Sequence, residues 1–480
     1  MDSTIYIKDT LKRKKVPLKP PPAELKMYVC GPTVYDEPHI GHARSAYVFD
    51  VMRRYLIYRG YKVKFVRNVT DVDDKIIEKA RKEYPDEELN SAVKKIAEKY
   101  LNAYHEAMAV LNISSSEPDV IEPKATDYID KMIEFIQKLI NRGVAYASGG
   151  DVYFDIKKAK DYGKLSHQSI DQMEVGARIT PGENKSDPLD FALWKAAKEG
   201  EPSWPSPWGK GRPGWHIECS VMSSDILGDK FDIHGGGIDL IFPHHENEIA
   251  QSEGLGKPFA EYWIHHGLLT INGQKMAKSA GNFMTIKDFV AKYKEVDLMK
   301  LFFLSTHYSH PIDYTEEKIE EAKKAYERIE ILMRKLEQRF GMRDVSEVIK
   351  GGAGFIKPFK DEFIMHMDDD FNTPRALAVL FDMVNRCNIL LDSDDEFKNH
   401  KLNYAMEAIK EMANIFGLSF LKKTPMSLTD SEVEFQIIAR ANYKKQKNYA
   451  AADNIRKTLE EKGIILEDTK DGKTTWRKKL

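Results

Sequence analysis

The first residues that could do chemistry are two histidines around a glycine, in the segment His39-Ile40-Gly41-His42. Imidazole rings can donate hydrogen bonds to phosphate oxygens while negative charge shifts in a reaction. Gly41 has no side chain, so a nucleotide could approach the backbone closely there. Four such residues also recur by chance. Taken alone, they indicate no more than a loop with two surface histidines.

A second group consists of two lysines, Lys275 and Lys278, which lie between Gly273 and Gly281. Glycines on both sides predict a mobile loop. Such a loop could close two cations on a triphosphate, which would suit a nucleotide-binding enzyme. Taken alone, however, a short basic run is more typical of a solvated turn on the surface.

Side chains of the kinds that bind metals form a third group. Cys30 ends a short apolar run, Cys219 lies far along the chain, and His244 and Glu248 lie close together. A spacing of four residues places His244 and Glu248 on one face of a helix. Spacing alone does not join all four residues into one site, since a buried cysteine or a polar helix start would explain each half.

The apolar pattern around the histidine pair predicts the elements that position it. Residues 27–30 are typical of a buried strand, and a loop follows as far as Gly41. Residues 43–59 then have helical spacing, and residues 61–66 alternate like a second strand. Strand, loop, helix and strand form a βαβ unit and predict a parallel sheet. Such sheets bind ligands at the carboxyl ends of their strands, beside helix N-termini that favour phosphate.

The remaining patterns predict an insertion, a return to the sheet and then helices. Residues 114–213 mix a helix at 125–142 with hairpin-like pieces, and we interpret them as an insertion into the sheet domain. Strand patterns resume at 231–233 and 262–265, with a predicted helix between them that begins near Pro243. Further predicted elements are helices at 86–111, 373–391 and 403–416, and a helix that begins after an N-cap at Thr315 and whose apolar face runs from Ile319 to Leu336. A glycine break at 351–354 and two terminal helices are also predicted, followed by a hairpin of 464–467 with 474–476 around Asp471-Gly472.

Together, the histidine pair after the first strand and the lysine pair after the last strand resemble the two signatures of class I aminoacyl-tRNA synthetases. The first matches the family's HIGH sequence in full. The second, Lys275-Met276-Ala277-Lys278-Ser279, departs from the family's KMSKS at Ala277 but keeps both lysines. The resemblance implies ATP binding by His39, Gly41, His42 and Lys278, and catalytic roles for His39, His42, Lys275 and Lys278.

Four further segments resemble cysteinyl-tRNA synthetases within that class, namely residues 28–36, 213–220, 231–237 and 242–252. In that family the matching residues hold one zinc ion. The resemblance therefore assigns as zinc ligands Cys30, Cys219, His244 and Glu248. It assigns to the substrate pocket Gly31, Thr70, Trp215, His234 and Asp239, with Asp239 placed to meet the substrate ammonium.

Zinc would give a physical basis for choosing cysteine. Cysteine and serine differ only in sulfur against oxygen, and packing alone discriminates weakly between such similar shapes. Zinc binds thiolate well, so the substrate thiol would bind deprotonated, whereas a serine hydroxyl would not. Four protein ligands normally mark a closed structural site. Substrate binding then needs a fifth ligand or the loss of one, and Glu248 is the ligand expected to yield.

The resemblance implies an α/β fold, in which a Rossmann-like parallel-sheet catalytic domain carries an inserted connective domain and is followed by an all-α helical bundle and a small C-terminal α+β unit. The expected partners are tRNA(Cys), L-cysteine and ATP with Mg²⁺, and a monomer is expected. The expected domains are the two catalytic halves (1–113 and 214–270), the insertion (114–213), a connecting domain with the lysine loop (271–314), an anticodon-binding bundle (315–424) and an anticodon-recognition unit (425–480).

Composition sets the limits within which these interpretations fit. The chain has 480 residues, too many for one core, and its 42% hydrophobic and 31% charged residues are typical of a globular protein. A net charge of −2 means that any nucleic-acid binding depends on local patches. Three cysteines argue against a disulfide framework. We find neither an apolar run of membrane length nor a signal-peptide core, so a cytoplasmic protein is expected.

Two further segments match known motifs only in part. Residues 209–214 match GxGxxG but follow no strand, and residues 245–249 lack the final histidine of the HExxH zinc proteases. A relative that joins cysteinyl-adenylate to a small amine would lack the anticodon-binding half, whereas residues 369–377 and the terminal unit resemble it here. A non-catalytic tRNA-binding protein would carry damaged nucleotide motifs, and these are intact. Candidate tRNA contacts in the terminal unit are Lys444, Lys445, Lys447, Arg456, Trp476, Lys478 and Lys479.

Overall fold

The computed structural model describes residues 3–169, 185–277, 281–340, 352–420, 430–445, 448–461, 464–468 and 474–478. Its strands are β1 (Tyr6–Asp9), β2 (Lys14–Pro17), β3 (Glu24–Val29), β4 (Lys62–Arg67), β5 (Val120–Ile121), β6 (Ala145–Ser148), β7 (Asp151–Phe154), β8 (Phe191–Ala196), β9 (Gly211–Pro213), β10 (Phe231–Gly237), β11 (Ala260–His266), β12 (Leu269–Ile271), β13 (Gln274–Lys275), β14 (Ile312–Tyr314), β15 (Ile464–Asp468) and β16 (Thr474–Lys478).

Its α-helices are α1 (Ile40–Tyr58), α2 (Asp74–Glu83), α3 (Leu89–Val110), α4 (Ile129–Asn141), α5 (Trp215–Leu227), α6 (Glu246–Gly254), α7 (Ile286–Tyr293), α8 (Asp297–Leu304), α9 (Glu316–Phe340), α10 (Gly352–Asp368), α11 (Thr373–Leu391), α12 (Lys398–Ile415), α13 (Asp430–Lys445) and α14 (Tyr449–Glu461). None of the helices that the structure describes has the length and apolar character needed to cross a membrane.

A five-stranded sheet in the order β11-β10-β3-β4-β5 forms the centre of the structure, and each neighbouring pair is parallel. The prediction of a parallel sheet built on a βαβ unit is therefore confirmed. From β3 the chain runs through α1 to β4 and β5, and it later returns to the other side of β3 as β10 and β11. The strand order thus reverses between β3 and β10. Open sheets of this type bind ligands at the carboxyl ends of the strands at such a point.

Helix α1 begins within the histidine segment, three residues earlier than its apolar spacing predicted. His39 is extended, and its Nδ1 accepts hydrogen bonds from the backbone N–H groups of Gly41 and His42. The backbone N–H of His39 in turn donates to Nδ1 of His42. These bonds satisfy donors at the helix start that otherwise lack partners, so the two histidines themselves cap the helix. At the other end, Gly60 has φ +88° after the last turn, as its predicted capping role requires.

Several helices differ from the sequence predictions. The predicted helix at 86–111 is α3, and α2 before it was not predicted. Tyr84 follows the last residue of α2 and precedes Pro85, and proline disfavours helical backbone in the preceding residue. Helix α5 was also not predicted. The glycine-rich segment at 351–354 was expected to break the helical pattern, yet α10 begins at Gly352. Its apolar residues pack against α11 and α12, so tertiary burial outweighs the low helix propensity of glycine.

The predicted insertion contains an antiparallel sheet in the order β6-β7-β8-β9, which confirms its hairpin-like pieces. Strand β5, near the start of that range, instead pairs with β4 in the central sheet. One apolar core joins residues of both sheets with α4 and α5, and it includes Tyr28, Trp194 and Trp263 together with Cys30 and Cys219. The two cysteines are therefore anchored in a large shared core rather than in exposed loops.

The chain divides into two compact units, Met1–Leu418 and Ser419–Leu480. In the first unit, α9 to α12 form a helical region whose buried faces follow the predicted spacing. In the second, α13 and α14 cover the antiparallel pair of β15 and β16, with a small core of Val433, Leu459, Ile464 and Leu466. The pairing of the hairpin strands confirms the prediction, while its expected turn at Asp471-Gly472 lies outside the described residues.

Candidate active site and metal centre

The two signature histidines stack at the start of α1, with their ring centres 3.8 Å apart. Because Nδ1 of each ring accepts a backbone N–H, each neutral ring carries its proton on Nε2. Burial, together with the neighbouring imidazole of His39, lowers the pKa of His42 to about 3, so this ring is neutral at physiological pH. The cap therefore fixes the tautomers and leaves Nε2–H as the donor on each ring.

The structure brings the lysine segment against the histidine segment. Beyond the loop, the backbone N–H of Ile40 donates to Met284, and that of Ile286 donates to Pro38. A side-chain carbon added to Gly41 would lie 2.9 Å from the ring of His39, so a glycine avoids this overlap. The same carbon would lie 3.5 Å from the methyl group of Met276, which places the lysine segment within contact distance of the histidine segment. The sequence prediction that these distant segments serve one site is consistent with this contact.

Lys275 was predicted to lie in a mobile loop, but it belongs to β13 and is exposed in a hairpin with β12. The side-chain amide of Asn282 closes this segment, since its oxygen accepts from the N–H of Ala277 and its nitrogen donates to the carbonyl of Lys275. Because the bond at position 277 comes from the backbone N–H, it forms with the Ala277 of this chain as it would with the serine of the family sequence. Lys278 lies outside the described residues.

Cys30, Cys219, His244 and Glu248 meet at the carboxyl end of β3, with their ligand atoms within 4.8 Å of one another. The two sulfur atoms are 3.7 Å apart, and Nε2 of His244 is 3.1 Å from Oε1 of Glu248. Two thiolates on one tetrahedral zinc, each at about 2.3 Å, would lie about 3.8 Å apart. The distance between the sulfurs therefore fits a zinc ion between them.

A second group of possible ligands overlaps the first, since His234 and His245 also lie near Cys30 and Glu248. Nε2 of His234 is 2.8 Å from Oε2 of Glu248, and Nε2 of His245 is 3.2 Å from the sulfur of Cys30. Nδ1 of His245 pairs with His265 at 2.8 Å. We place His234 and His245 behind the ligands, because ligand side chains are normally oriented by such hydrogen bonds from the surrounding shell.

Burial governs the charge of this cluster. It raises the pKa of Cys30 and that of Glu248 well above their usual values, and it also raises the pKa of Cys219. It lowers the pKa of His244 well below its usual value. Two thiolates and a carboxylate in so dry a place are stable only beside a compensating positive charge. The donor set therefore fits a divalent cation that prefers sulfur and nitrogen ligands.

Gly31 and Thr70, two of the predicted pocket residues, line the ends of neighbouring strands. The N–H of Gly31 donates to Oδ1 of Asn68 at 2.9 Å, and a side chain at position 31 would overlap the backbone oxygen of Asn68. The hydroxyl of buried Thr70 donates to Oε2 of Glu218 at 2.7 Å. Position 31 thus accepts only glycine. The hydrogen-bond partner of Thr70, Glu218, was not among the predicted site residues.

The remaining predicted pocket residues differ in exposure. Trp215 is 40% exposed and stacks on His244 with ring centres 4.1 Å apart, which places an aromatic ring beside the cluster of possible metal ligands. Asp239 is exposed on a short 3₁₀-helix after β10, where its charge acts on the buried ring of His266. His234 is fully buried. Trp215 and Asp239 are therefore accessible to a ligand, whereas His234 is buried with its Nε2 2.8 Å from Oε2 of Glu248.

Replacing Thr70 by valine should lower the free energy of unfolding by about 1–3 kcal/mol, because the buried carboxyl of Glu218 would lose its hydroxyl partner. Denaturation by urea would measure this, with Thr70→Ser as the matched control that keeps the hydroxyl. Equal stability of the valine variant and the wild type would show that the bond does not contribute to folding.

Sequence reasoning missed residues that the structure places in the site. Glu218 directly precedes Cys219 on α5, so its place beside a candidate ligand was a usable signal. His245 was considered only as part of a protease-like motif, although it is adjacent to His244. Asn68 connects the end of β3 to α5, since its Oδ1 accepts from the N–H of Gly31 and also lies 3.7 Å from the sulfur of Cys219. No periodicity marks such a residue, because its role depends on non-local contacts.

Comparisons with known proteins match this architecture. A family model described as the class I (C) tRNA synthetase catalytic domain matches residues 18–324, and one for the DALR domain matches residues 362–421. A cysteine–tRNA ligase of Geobacillus sp. (strain WCH70) is 48% identical over 479 residues, which cover 99% of this chain and all of that protein. A cysteine–tRNA ligase of Sulfurihydrogenibium sp. (strain YO3AOP1) is also 48% identical and covers 99% of this chain.

Among solved structures, a complex of Mycobacterium tuberculosis methionyl-tRNA synthetase with methionyl-adenylate is similar in fold, with a TM-score of 0.58 and 14% identity. The match covers 90% of this chain and 96% of the other. The full-length identity to the two ligases and the match of the catalytic-domain family over most of the chain agree with the signatures and the cluster of possible metal ligands described above. This chain belongs to the cysteine–tRNA ligase family of class I tRNA synthetases.

Proposed function

We propose that this chain activates L-cysteine with ATP to cysteinyl-adenylate and transfers the cysteinyl group to the 3′ end of tRNA(Cys). The observation that carries the proposal is the convergence of three groups at one edge of the central sheet. They are the histidine pair, the hairpin of β12 and β13 that carries Lys275 (the lysine hairpin), and a cluster of two cysteines, a histidine and a glutamate. The full-length relatives named cysteine–tRNA ligase support the same activity.

We propose that Cys30, Cys219, His244 and Glu248 hold one zinc ion that selects cysteine. Zinc, when bound, would coordinate the substrate thiolate, which a serine hydroxyl cannot match. Oε2 of Glu248 is held by His234 while Oε1 lies near His244, so this carboxylate has a partner ready if it leaves the ion. This arrangement makes Glu248 the ligand expected to yield. Trp215 would pack on the substrate, and Asp239 would face its ammonium group.

In the proposed activation step, the carboxylate of cysteine attacks the α-phosphorus of ATP, a new C–O–P linkage forms and pyrophosphate leaves. The Nε2–H groups of His39 and His42 would donate to phosphate oxygens as charge develops. Lys275 and Lys278 would hold the triphosphate, together with Mg²⁺ that arrives with ATP. In the second step, the 2′-hydroxyl of the terminal ribose attacks the adenylate carbonyl and AMP leaves. The chain contributes mainly position and charge.

The expected domains give the tRNA its contacts in this proposal. The helical bundle of residues 315–424 would bind the anticodon region, and residues 425–480 would recognise the anticodon. The catalytic domain would consist of residues 1–113 and 214–270, with residues 114–213 as its connective insertion. The connecting domain with the lysine loop would be residues 271–314. In the terminal unit Lys444 and Arg456 are exposed, as phosphate contacts require, whereas Trp476 packs partly against the unit's core. The cytoplasmic location and the monomeric state stay predictions.

The test is amino-acid-dependent exchange of pyrophosphate into ATP, with cysteine compared to serine. We expect exchange with cysteine and at most about 1% of that rate with serine, because serine lacks the thiolate ligand. Exchange with another amino acid in preference to cysteine would contradict the proposed substrate. Absence of exchange with any amino acid, in protein that contains its metal, would favour a tRNA-binding protein without catalysis.

A further inference from the structure

Arg44 is a buried arginine two residues beyond the histidine pair on α1, with 2% of its surface exposed. Its Nη1 donates to the carbonyl of Leu268 at 2.7 Å, and its Nη2 donates to those of Tyr308 and His310 at 3.2 and 2.5 Å. No carboxylate lies within ion-pair distance of it in the part of the chain that the structure describes. A buried cation satisfied only by carbonyl groups is costly, and burial lowers the pKa of Arg44 to about 10.

The three carbonyl groups belong to two segments that support the lysine hairpin. Leu268 directly precedes β12, and Tyr308 and His310 lie just before β14. Strands β12 and β14 are parallel, and β12 also pairs with β13, which carries Lys275. The guanidinium therefore lies at the point where both supporting strands begin. These segments are also tightly packed, because a side chain at Gly267 would come within 2.3 Å of the backbone of His310.

The two ends of the lysine segment are attached to α1 in different ways. The far end is held by backbone hydrogen bonds, from Ile40 to Met284 and from Ile286 to Pro38. The near end, where β12 begins, is held to α1 by the side chain of Arg44. The histidines occupy the first turn of the same helix. One rigid helix thus sets the distance between the histidine donors and the base of the lysine hairpin.

We propose that Arg44 is a positioning residue for adenylate formation, which holds the lysine hairpin in register with the two histidines. The inference rests on the proposed function and adds to it a residue that contacts neither cysteine nor ATP. Its planar group offers donors in two directions, so it reaches Leu268 on one side and Tyr308 and His310 on the other. A lysine has a single nitrogen and cannot span both. Small displacements of groups that act on the triphosphate are sufficient to slow the reaction strongly.

The test compares Arg44→Lys with Arg53→Lys. Arg53 lies on the same helix and is also buried, but it pairs with Asp50 and Asp119 instead of the hairpin. We expect Arg44→Lys to lower kcat of cysteine-dependent pyrophosphate exchange at least tenfold, with the KM for cysteine and the metal content within twofold of wild type. Arg53→Lys should stay within threefold in kcat. Transfer from preformed adenylate to tRNA should be affected less than activation, since the triphosphate is then absent.

A double variant separates positioning from a general loss of structure. If Arg44 acts through the hairpin, Arg44→Lys combined with Lys275→Ala should be no slower than the slower single variant. The proposal would be overturned if the fold-losses of kcat in the two single variants multiplied in the double variant. It would also be overturned if Arg44→Lys and Arg53→Lys lost the same fraction of kcat. If Arg44→Lys does not fold, Arg44→Gln is measured instead; failure of both to fold would make Arg44 a general stability residue and would also overturn it. Absence of exchange by the wild type would refute the proposed function, whereas active wild type with an unaffected Arg44 variant would refute this inference alone.

Discussion

Cys219→Ser is expected to lower the metal content of the purified protein far below one ion per chain. It should also lower the rate of cysteine-dependent pyrophosphate exchange by at least about 100-fold. The sulfur of Cys219 lies 3.7 Å from that of Cys30, the separation that fits two thiolates on one zinc ion. A serine hydroxyl is a much poorer zinc ligand, and it does not supply the negative charge of a thiolate. Metal content by atomic emission and exchange kinetics, both on purified protein, would measure the two effects.

Cys387→Ser is the matched control, because Cys387 is equally buried but lies on α11 in the helical region. It should keep its metal and its exchange rate per folded molecule, although the buried hydroxyl costs about 1–3 kcal/mol of stability. A Cys219→Ser protein that retained one zinc per chain would show that the ion is held by the overlapping group with His234 and His245. Loss of zinc in both variants would mean that the metal depends on folding in general.

His42→Asn should lower kcat of adenylate formation by about 100- to 1,000-fold, the usual cost of removing one donor to a developing charge. Asparagine can still accept the backbone N–H of His39 and so preserve the helix cap, but it is too short to place a donor where Nε2–H stands. The experiment therefore separates the donor from the cap. Steady-state exchange kinetics would give kcat and the KM for ATP, and thermal unfolding would verify the fold.

His42→Gln is the companion variant, since its amide nitrogen can reach the position of Nε2 while the cap is weakened. We expect it to be faster than His42→Asn even if it is less stable. The opposite order, with Asn more active than Gln, would show that position 42 serves as a cap and not as a donor. Because the pKa of His42 is about 3, we also expect that this residue adds no titration to the rate between pH 6 and 8.

Local sequence patterns predicted helices and strands well where the polarity of each side chain matches its burial in the fold. The alternation and apolar spacing around α1, β3 and β4 identified a βαβ unit because the burial of those residues follows the geometry of helix and strand. The same patterns failed at α5 and at the start of α10. Helix α5 is buried almost all round, so it has no polar stripe that would mark its period.

The sequence by itself determined the chemistry that is available: two imidazoles beside a glycine, two lysines in a short segment, and two thiols, an imidazole and a carboxylate. It also predicted that His244 and Glu248 lie on one face of a helix. In the structure His244 belongs to a π-helical turn just before α6 and Glu248 to α6 itself, and the two side chains are 3.1 Å apart. What it could not determine is which distant residues meet. Cys30 and Cys219 are separated by 189 positions, and only the pairing of β3 with β10 and the shared core beneath α5 bring their sulfurs together.

Tertiary structure alone also decided which residues surround the candidate metal ligands and the two signatures. Glu218 meets Thr70, His245 lies behind Cys30, and Arg44 connects α1 to the base of the lysine hairpin. These contacts join segments that are far apart in the chain, and each depends on the summed burial of a whole core. Periodicity reports only which face of an element is buried. It carries no information about what lies across that face, and this is why the partners had to come from the fold.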